Sequence, residues 1–128
     1  MNGVQWKNEP DQHDYPAAAS YLAPIADPVT ADALIAGLKS APIERYKAKD
    51  ILRSSGLPAL PLDNVHVAED VDKVKAAKAL SPVLLVRGDI HRGDPLQIAD
   101  GYHRVCASHH LDEDTDIPCR IVALFEPQ

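Results

Sequence analysis

Apolar positions in this chain recur with two periods, and the switches between them outline its elements. In "TADALIAGLKS", Ala31, Leu34, Ile35 and Leu38 fall at i, i+3, i+4 and i+7. That is one stripe of a helix, with Thr30 placed as N-cap and Pro42 beyond the end. "ERYKAKDILRSSG" predicts a second helix that turns Ile51 and Leu52 inward and stops at Gly56, a C-cap glycine. Pro58 and Pro61 then forbid a helix, and "NVHVAED" alternates Val65 and Val67 about His66 as a half-buried strand does. "DVDKVKAAKAL" returns to the helical period through Val71 and Val74, with Asp70 as its predicted cap. "PVLLVRG" and "PLQIAD", separated by the turn-forming "DIHRGD", predict a hairpin. A helix from about Tyr102 to Leu111 and a strand over "IPCRIVALF" complete the pattern. Both faces of that last strand are apolar, which places it centrally in a sheet. The fold class expected is α+β: a small mixed sheet with helices, in the order β, α, hairpin, α, β.

Ahead of this pattern the period is lost. Residues 1 to 29 hold Pro10, Pro16, Pro24 and Pro28 together with Trp6, Tyr15 and Tyr21. Proline excludes long regular elements, while three aromatics suit a segment that docks on the core or on a partner. Two regions are therefore expected: an N-terminal arm with two short helices over 1–59, and the main domain over 60–128.

Length and charge narrow the function classes. A chain of 128 residues supports one core, and 45% hydrophobic with 25% charged residues is ordinary for a globular protein. The formal charge of -6 disfavours nucleic acid as a partner, since Lys and Arg neutralising phosphates supply most non-specific affinity. No run approaches the roughly 18 apolar residues of a membrane span, and "MNGVQWKNEPDQHDYP" does not read as a signal peptide. Cys106 and Cys119 match no zinc or redox spacing and suit small core positions. These features predict a cytoplasmic protein without a membrane partner.

Candidate chemistry concentrates in "IADGYHRVCA", where an apolar strand ends in Asp100-Gly101 and a helix begins at once. A helix N-terminus gathers unpaired backbone N–H groups and partial positive charge, and it binds anions. His103 and Arg104 on the first turn oppose the dipole unless an anion compensates them, which points to a phosphate cradle. The rival reading is an ordinary strand-to-helix turn, with His103 solvated and Arg104 paired to Asp100 or Asp94. Tyr102 either stacks on a base at the lip of the site or packs across the helix's first turn. Arg87 and Arg92 of the hairpin could border the cradle. Lys47, Lys49 and Arg53 read as a solvated face that could lend charge to an anion.

From about Pro61 to Leu124 the ordered motifs "PLDNV", "DVDKV", "SPVLLV", "DGYHR" and "IPCRIV" resemble the superfamily of ParB N-terminal domains and sulfiredoxins. The resemblance implies a ParB/sulfiredoxin-like fold in which Gly101, His103 and Arg104 form a nucleotide-phosphate turn and Lys73 approaches the nucleotide. It also implies what is missing. Tyr102 stands where sulfiredoxins carry the catalytic cysteine, and Ala76 and Leu80 stand where they carry nucleotide-binding hydroxyls. Sulfiredoxin activity is therefore not expected. Nor does anything after Phe125 supply the helix-turn-helix and dimerisation parts of a partitioning protein.

The expected function is thus binding of a nucleotide or another phosphorylated small molecule at Gly101, Tyr102, His103, Arg104 and Lys73. A nucleoside triphosphate with Mg2+ is the candidate cofactor. Any catalysis would be nucleotide hydrolysis or phosphoryl transfer, with His103, Arg104 and Asp100 the candidate catalytic residues. The alternative is a non-catalytic module for a protein partner, or a homodimer formed through the N-terminal arm. A ParB-like nuclease is weaker still. "HHLDEDTD" gathers His109, His110 and four acids, but adjacent histidines diverge on a helix, and no metal site is assigned.

Overall fold

In the computed structural model, which describes residues 3–124, the elements run α1 (Asp14–Leu22), α2 (Pro28–Ser40), β1 (Ile43–Lys47), α3 (Ala48–Ser55), α4 (Val65–Lys75), β2 (Val83–Arg87), β3 (Gln97–Asp100), α5 (Tyr102–Leu111) and β4 (Asp116–Ala123). The α+β class is as expected. The four strands form one mixed sheet in the order β1-β4-β2-β3, with β4 antiparallel to β1 and parallel to β2, and β2 antiparallel to β3. β4 is central, as its two apolar faces require. Phe125, the last residue of the strand expected from sequence, lies outside the described residues.

Alternation along β2 builds two cores. Val83 and Leu85 join Ile51, Val67, Val71, Val105, Ile117 and Cys119 beneath α3, α4 and α5. Leu84 and Val86 face the opposite way and join Tyr15, Leu22, Leu34 and Leu38 beneath α1 and α2. The domain is therefore a sheet between two helical layers, which is why β2 is apolar on both sides.

The N-terminal arm is part of this body. α1 carries Tyr15, Ala18 and Leu22 into the second core. Ahead of it the chain is held by a parallel bridge from Trp6 to Leu80, in which the Lys7 amide donates to the Leu80 carbonyl (2.8 Å) and the Leu80 amide to the Gln5 carbonyl (2.9 Å). The docking expected of its aromatics is what Trp6 and Tyr15 do.

Four local expectations need correction. α2 begins a turn earlier than Thr30: Asp27 is the N-cap, accepting from the Thr30 amide at 3.0 Å and the Thr30 hydroxyl at 2.8 Å. Pro28 sits at the first helical position, where its missing N–H costs nothing. The segment from Glu44 to Lys47, expected as the start of a helix, belongs to the edge strand β1, registered from Ile43 opposite Arg120 to Lys47 opposite Asp116. Its pairing with β4 outweighs its helical propensity, and the helix starts only at Ala48. Gly56 does end that helix, in the left-handed conformation at φ 71°.

The alternation at Val65-His66-Val67 is not a strand but the first turn of α4, capped by Asn64, whose Oδ1 accepts from the His66 and Val67 amides at 3.0 and 3.2 Å. Three residues cannot separate period 2 from period 3.6, and the stripe Val67, Val71 and Val74 decides for the helix. Asp70, expected as a cap, consequently lies inside α4 and is buried.

Candidate functional site

The strand-to-helix turn is built as the sequence predicts: β3 ends at Asp100, Gly101 caps α5, and Tyr102 is its first residue. Gly101 adopts φ 108°, and a Cβ there would meet Val83 Cγ1 at 2.4 Å, so packing against β2 alone requires glycine. Beside the turn lies an open cavity of about 640 Å³. It is walled by the start of α5, by one face of α4 and by the N-terminal segment that precedes α1.

Of the residues singled out from sequence, Lys73, Asp100, Gly101, His103 and Arg104 line this cavity. Tyr102 does not line it: its hydroxyl donates to the Pro58 carbonyl at 2.5 Å and its ring packs against the first core. The reading of Tyr102 as a first-turn packing residue is the one observed. Arg87 lines a different cavity, of about 500 Å³, at the base of the hairpin beside β1 and α3. Arg92 lines neither. Lys49 pairs with Asp114 at 2.9 Å on the surface and does not line the cavity.

Arg104 is the most constrained cation of the site. Its guanidinium donates to the Ser81 carbonyl at 2.7 Å, to the Ser81 hydroxyl, to Asp100 Oδ2, and at 3.4 Å to Asp14 Oδ2. The Ser81 hydroxyl in turn donates to Asp14 Oδ2 at 2.8 Å. Arg104 thus ties α5 to β3, to the entry of β2 and to α1. The pairing with Asp100 is the one anticipated for an ordinary turn, and the contact with Asp14 across the arm was invisible in sequence.

A buried carboxylate, Asp14, and a half-buried one, Asp100, share this guanidinium. Burial raises the Asp100 carboxyl above its ordinary range; Arg104 opposes this and the Asp14 carboxylate adds to it. Asp70, facing the cavity from α4, is also raised by burial, against the pull of Lys73, Arg104 and His103. Lys73 approaches Asp70 at 3.7 Å and remains half exposed.

His103 lines the cavity from the first turn of α5. Its ring lies 4.8 Å, centroid to centroid, from that of His66 in the first turn of α4. The strand expected over Val65-His66-Val67 gives no sign of this contact, which arises because that segment is helical. Burial first, then the neighbouring His66 imidazole, hold His103 below the ordinary histidine range.

One group of potential metal ligands is present among the described residues: Asp11, His13 and Asp14, whose donor atoms lie within 4.8 Å of one another on the arm's side of the cavity. The signal was the short run "DQHD". Asp11 is bound by Lys7 at 2.9 Å, which with its charge pulls the carboxyl below the ordinary range. His109 and His110 have no part in this group: His110 Nε2 meets the Leu60 carbonyl at 2.5 Å and His109 approaches Glu113 at 4.0 Å. Among the described residues no helix is long and apolar enough to cross a membrane.

In comparisons with known proteins, no family model matches the chain, and no curated protein or solved structure is significantly similar to it.

Proposed function

We propose that this domain has a ParB/sulfiredoxin-like fold and binds a nucleotide or another phosphorylated small molecule in the cavity at the start of α5. The observation that carries the reading is convergence: Gly101, His103 and Arg104 from one sequence motif and Lys73 from another, 28 positions before Gly101, line one cavity of about 640 Å³. That volume suits a small ligand. Lys73, half exposed beside Asp70, and His103 are the residues placed to contact phosphate oxygens. Arg104 remains tied to Asp14 and Asp100, whose carboxylates offset its charge, and holds the turn in place.

A divalent ion accompanying a triphosphate would find oxygens on Asp11 and Asp14. The His13 nitrogen beside them favours a transition metal over Mg2+, which prefers oxygen. If the site is catalytic, nucleotide hydrolysis or phosphoryl transfer is the reaction class. Sulfiredoxin chemistry is excluded by Tyr102, whose phenol is engaged with Pro58. A cytoplasmic setting fits the two buried, unpaired thiols Cys106 and Cys119.

Titration with ATP, GTP and CTP, each with and without Mg2+ or Mn2+, tests the reading. Lys73→Ala and His103→Ala are the informative variants, each expected to weaken binding about tenfold or more, the worth of one charged hydrogen bond. No binding by wild type at millimolar ligand, or unchanged affinity in both variants, sinks it. Binding without product leaves the ligand reading and removes the enzyme.

A second reading has one observation in its favour. Both terminal nitrogens of the Arg104 guanidinium are held by protein groups, as in a domain that keeps its fold for a protein partner or a homodimer.

A further inference from the structure

We propose that His66, at the start of α4, is a second anion-binding imidazole of this cavity, and that it and His103 together clamp a doubly charged phosphate group. This rests on the phosphate-binding reading above and deepens it: the ligand class becomes a terminal phosphate monoester or polyphosphate end, taken as the dianion.

The geometry comes from two helix starts. His66 lies in the first turn of α4 and His103 in the first turn of α5, and both line the cavity. Their rings meet at 4.8 Å with a 52° tilt, so an oxyanion lying between their outer edges is in reach of a nitrogen from each. Among the described residues, no group hydrogen-bonds either ring nitrogen of His103, and His66 has only a Glu69 carboxylate at 3.8 Å. Lys73, seven residues after His66, is two turns along the same face of α4 and extends the cationic track for a longer phosphate chain.

Charge logic makes the pair selective. Two imidazolium ions this close repel each other, and each also stands at the positive end of a helix, so the empty cavity disfavours the doubly protonated pair. Arg104 adds to that repulsion, while Asp70 and Glu69 on α4 and Asp100 at the end of β3 oppose it. From the N-terminal wall Lys7, Asp11, His13 and Asp14 face the same space, with Lys78 beyond α4. A dianion between the rings reverses the balance, and binding draws protons onto them. The two imidazoles then act as one proton-linked clamp, in which removing His66 relieves its repulsion of His103 while burial still holds that ring low.

The test follows histidine imidazole signals by NMR from pH 5 to 8.5 in wild type and His66→Asn, without ligand and with inorganic phosphate as probe. His66 is exposed, so the variant is expected to fold, which the amide spectrum verifies. In the free protein His103 should titrate below an ordinary histidine, and in His66→Asn it should move up. With phosphate, both rings of wild type should shift upward. Calorimetry in two buffers of different ionisation enthalpy should show proton uptake on binding. In His66→Asn phosphate should bind about tenfold more weakly at pH 6, with a shallower dependence on pH. Unchanged affinity and pH slope in His66→Asn overturn the clamp while leaving the cavity as a phosphate site. A His103 titration that ignores the His66 substitution overturns it without any ligand. Absence of phosphate binding by wild type overturns the underlying site as well.

Discussion

Replacing Arg104 by Met removes the guanidinium but keeps an unbranched apolar stem, and so isolates the charge at the centre of this domain. The side chain of Arg104 is 12% exposed, and those of its partners Asp14 and Asp100 are 6% and 17% exposed. Loss of the cation leaves two poorly solvated carboxylates facing each other and the Ser81 carbonyl without its donor. Breaking a buried ion pair by removing one partner costs about 3–5 kcal/mol, a large share of the roughly 5–15 kcal/mol of a small domain. Urea denaturation at pH 7 is expected to show a loss of that size.

The pH dependence of that loss follows from linkage. Asp100 has a folded pKa above the unfolded value, so the stability tied to its protonation is fully present below the unfolded pKa and is lost as pH rises through the folded one. Without Arg104, which pulls the carboxyl down, the folded pKa climbs further. The penalty of Arg104→Met should therefore be greatest near pH 7 and shrink on acidification toward the ordinary aspartate range. Adding Asp100→Asn should recover part of the loss at pH 7, because one of the two unpaired charges is then gone. A penalty below about 1 kcal/mol at pH 7, the worth of an exposed pair, would refute the network. A penalty that does not change with pH would refute the linkage argument. The same reasoning makes Arg104 a poor probe of ligand binding, since its removal disturbs the fold first.

Two further outcomes are expected. Gly101→Ala combines a left-handed backbone with a Cβ only 2.4 Å from Val83 Cγ1, and should cost at least about 2 kcal/mol in the same denaturation assay; a loss under about 0.5 kcal/mol would show that β2 and the turn separate easily. Burial pushes the Cys119 thiol up to about 12, with Glu44 adding and Arg87 opposing, and burial raises Cys106 as well. Native protein at pH 8 should resist iodoacetamide at both cysteines and react promptly in denaturant; fast stoichiometric labelling of the native state would contradict the burial of these thiols.

Much of the frame was legible because it is local. The stripe Ala31, Leu34 and Leu38 declared α2, the left-handed stop at Gly56 ended α3, and "DGYHR" placed the β3-to-α5 junction at the residue. β4 declared its central position by being apolar on both faces. Other elements could not be read so. Ile43–Lys47 carries a helical composition and becomes a strand only because β4 offers an edge to pair with. Val65-His66-Val67 fits either period over three residues, and the stripe it makes with Val71 and Val74, buried against the core, settles it.

The candidate site divides along the same line. Sequence by itself determined that a glycine, a histidine and an arginine sit at the start of a helix after a strand, because backbone conformation and helix polarity depend on near neighbours. Tertiary structure alone decided what each of them faces. It brought Asp14 from the arm to the guanidinium 90 residues away, turned Tyr102 toward Pro58, and set His66 against His103. Those are contacts between elements distant in the chain. Their energies come from burial and from charges brought within a few ångströms, which no local pattern of residues encodes.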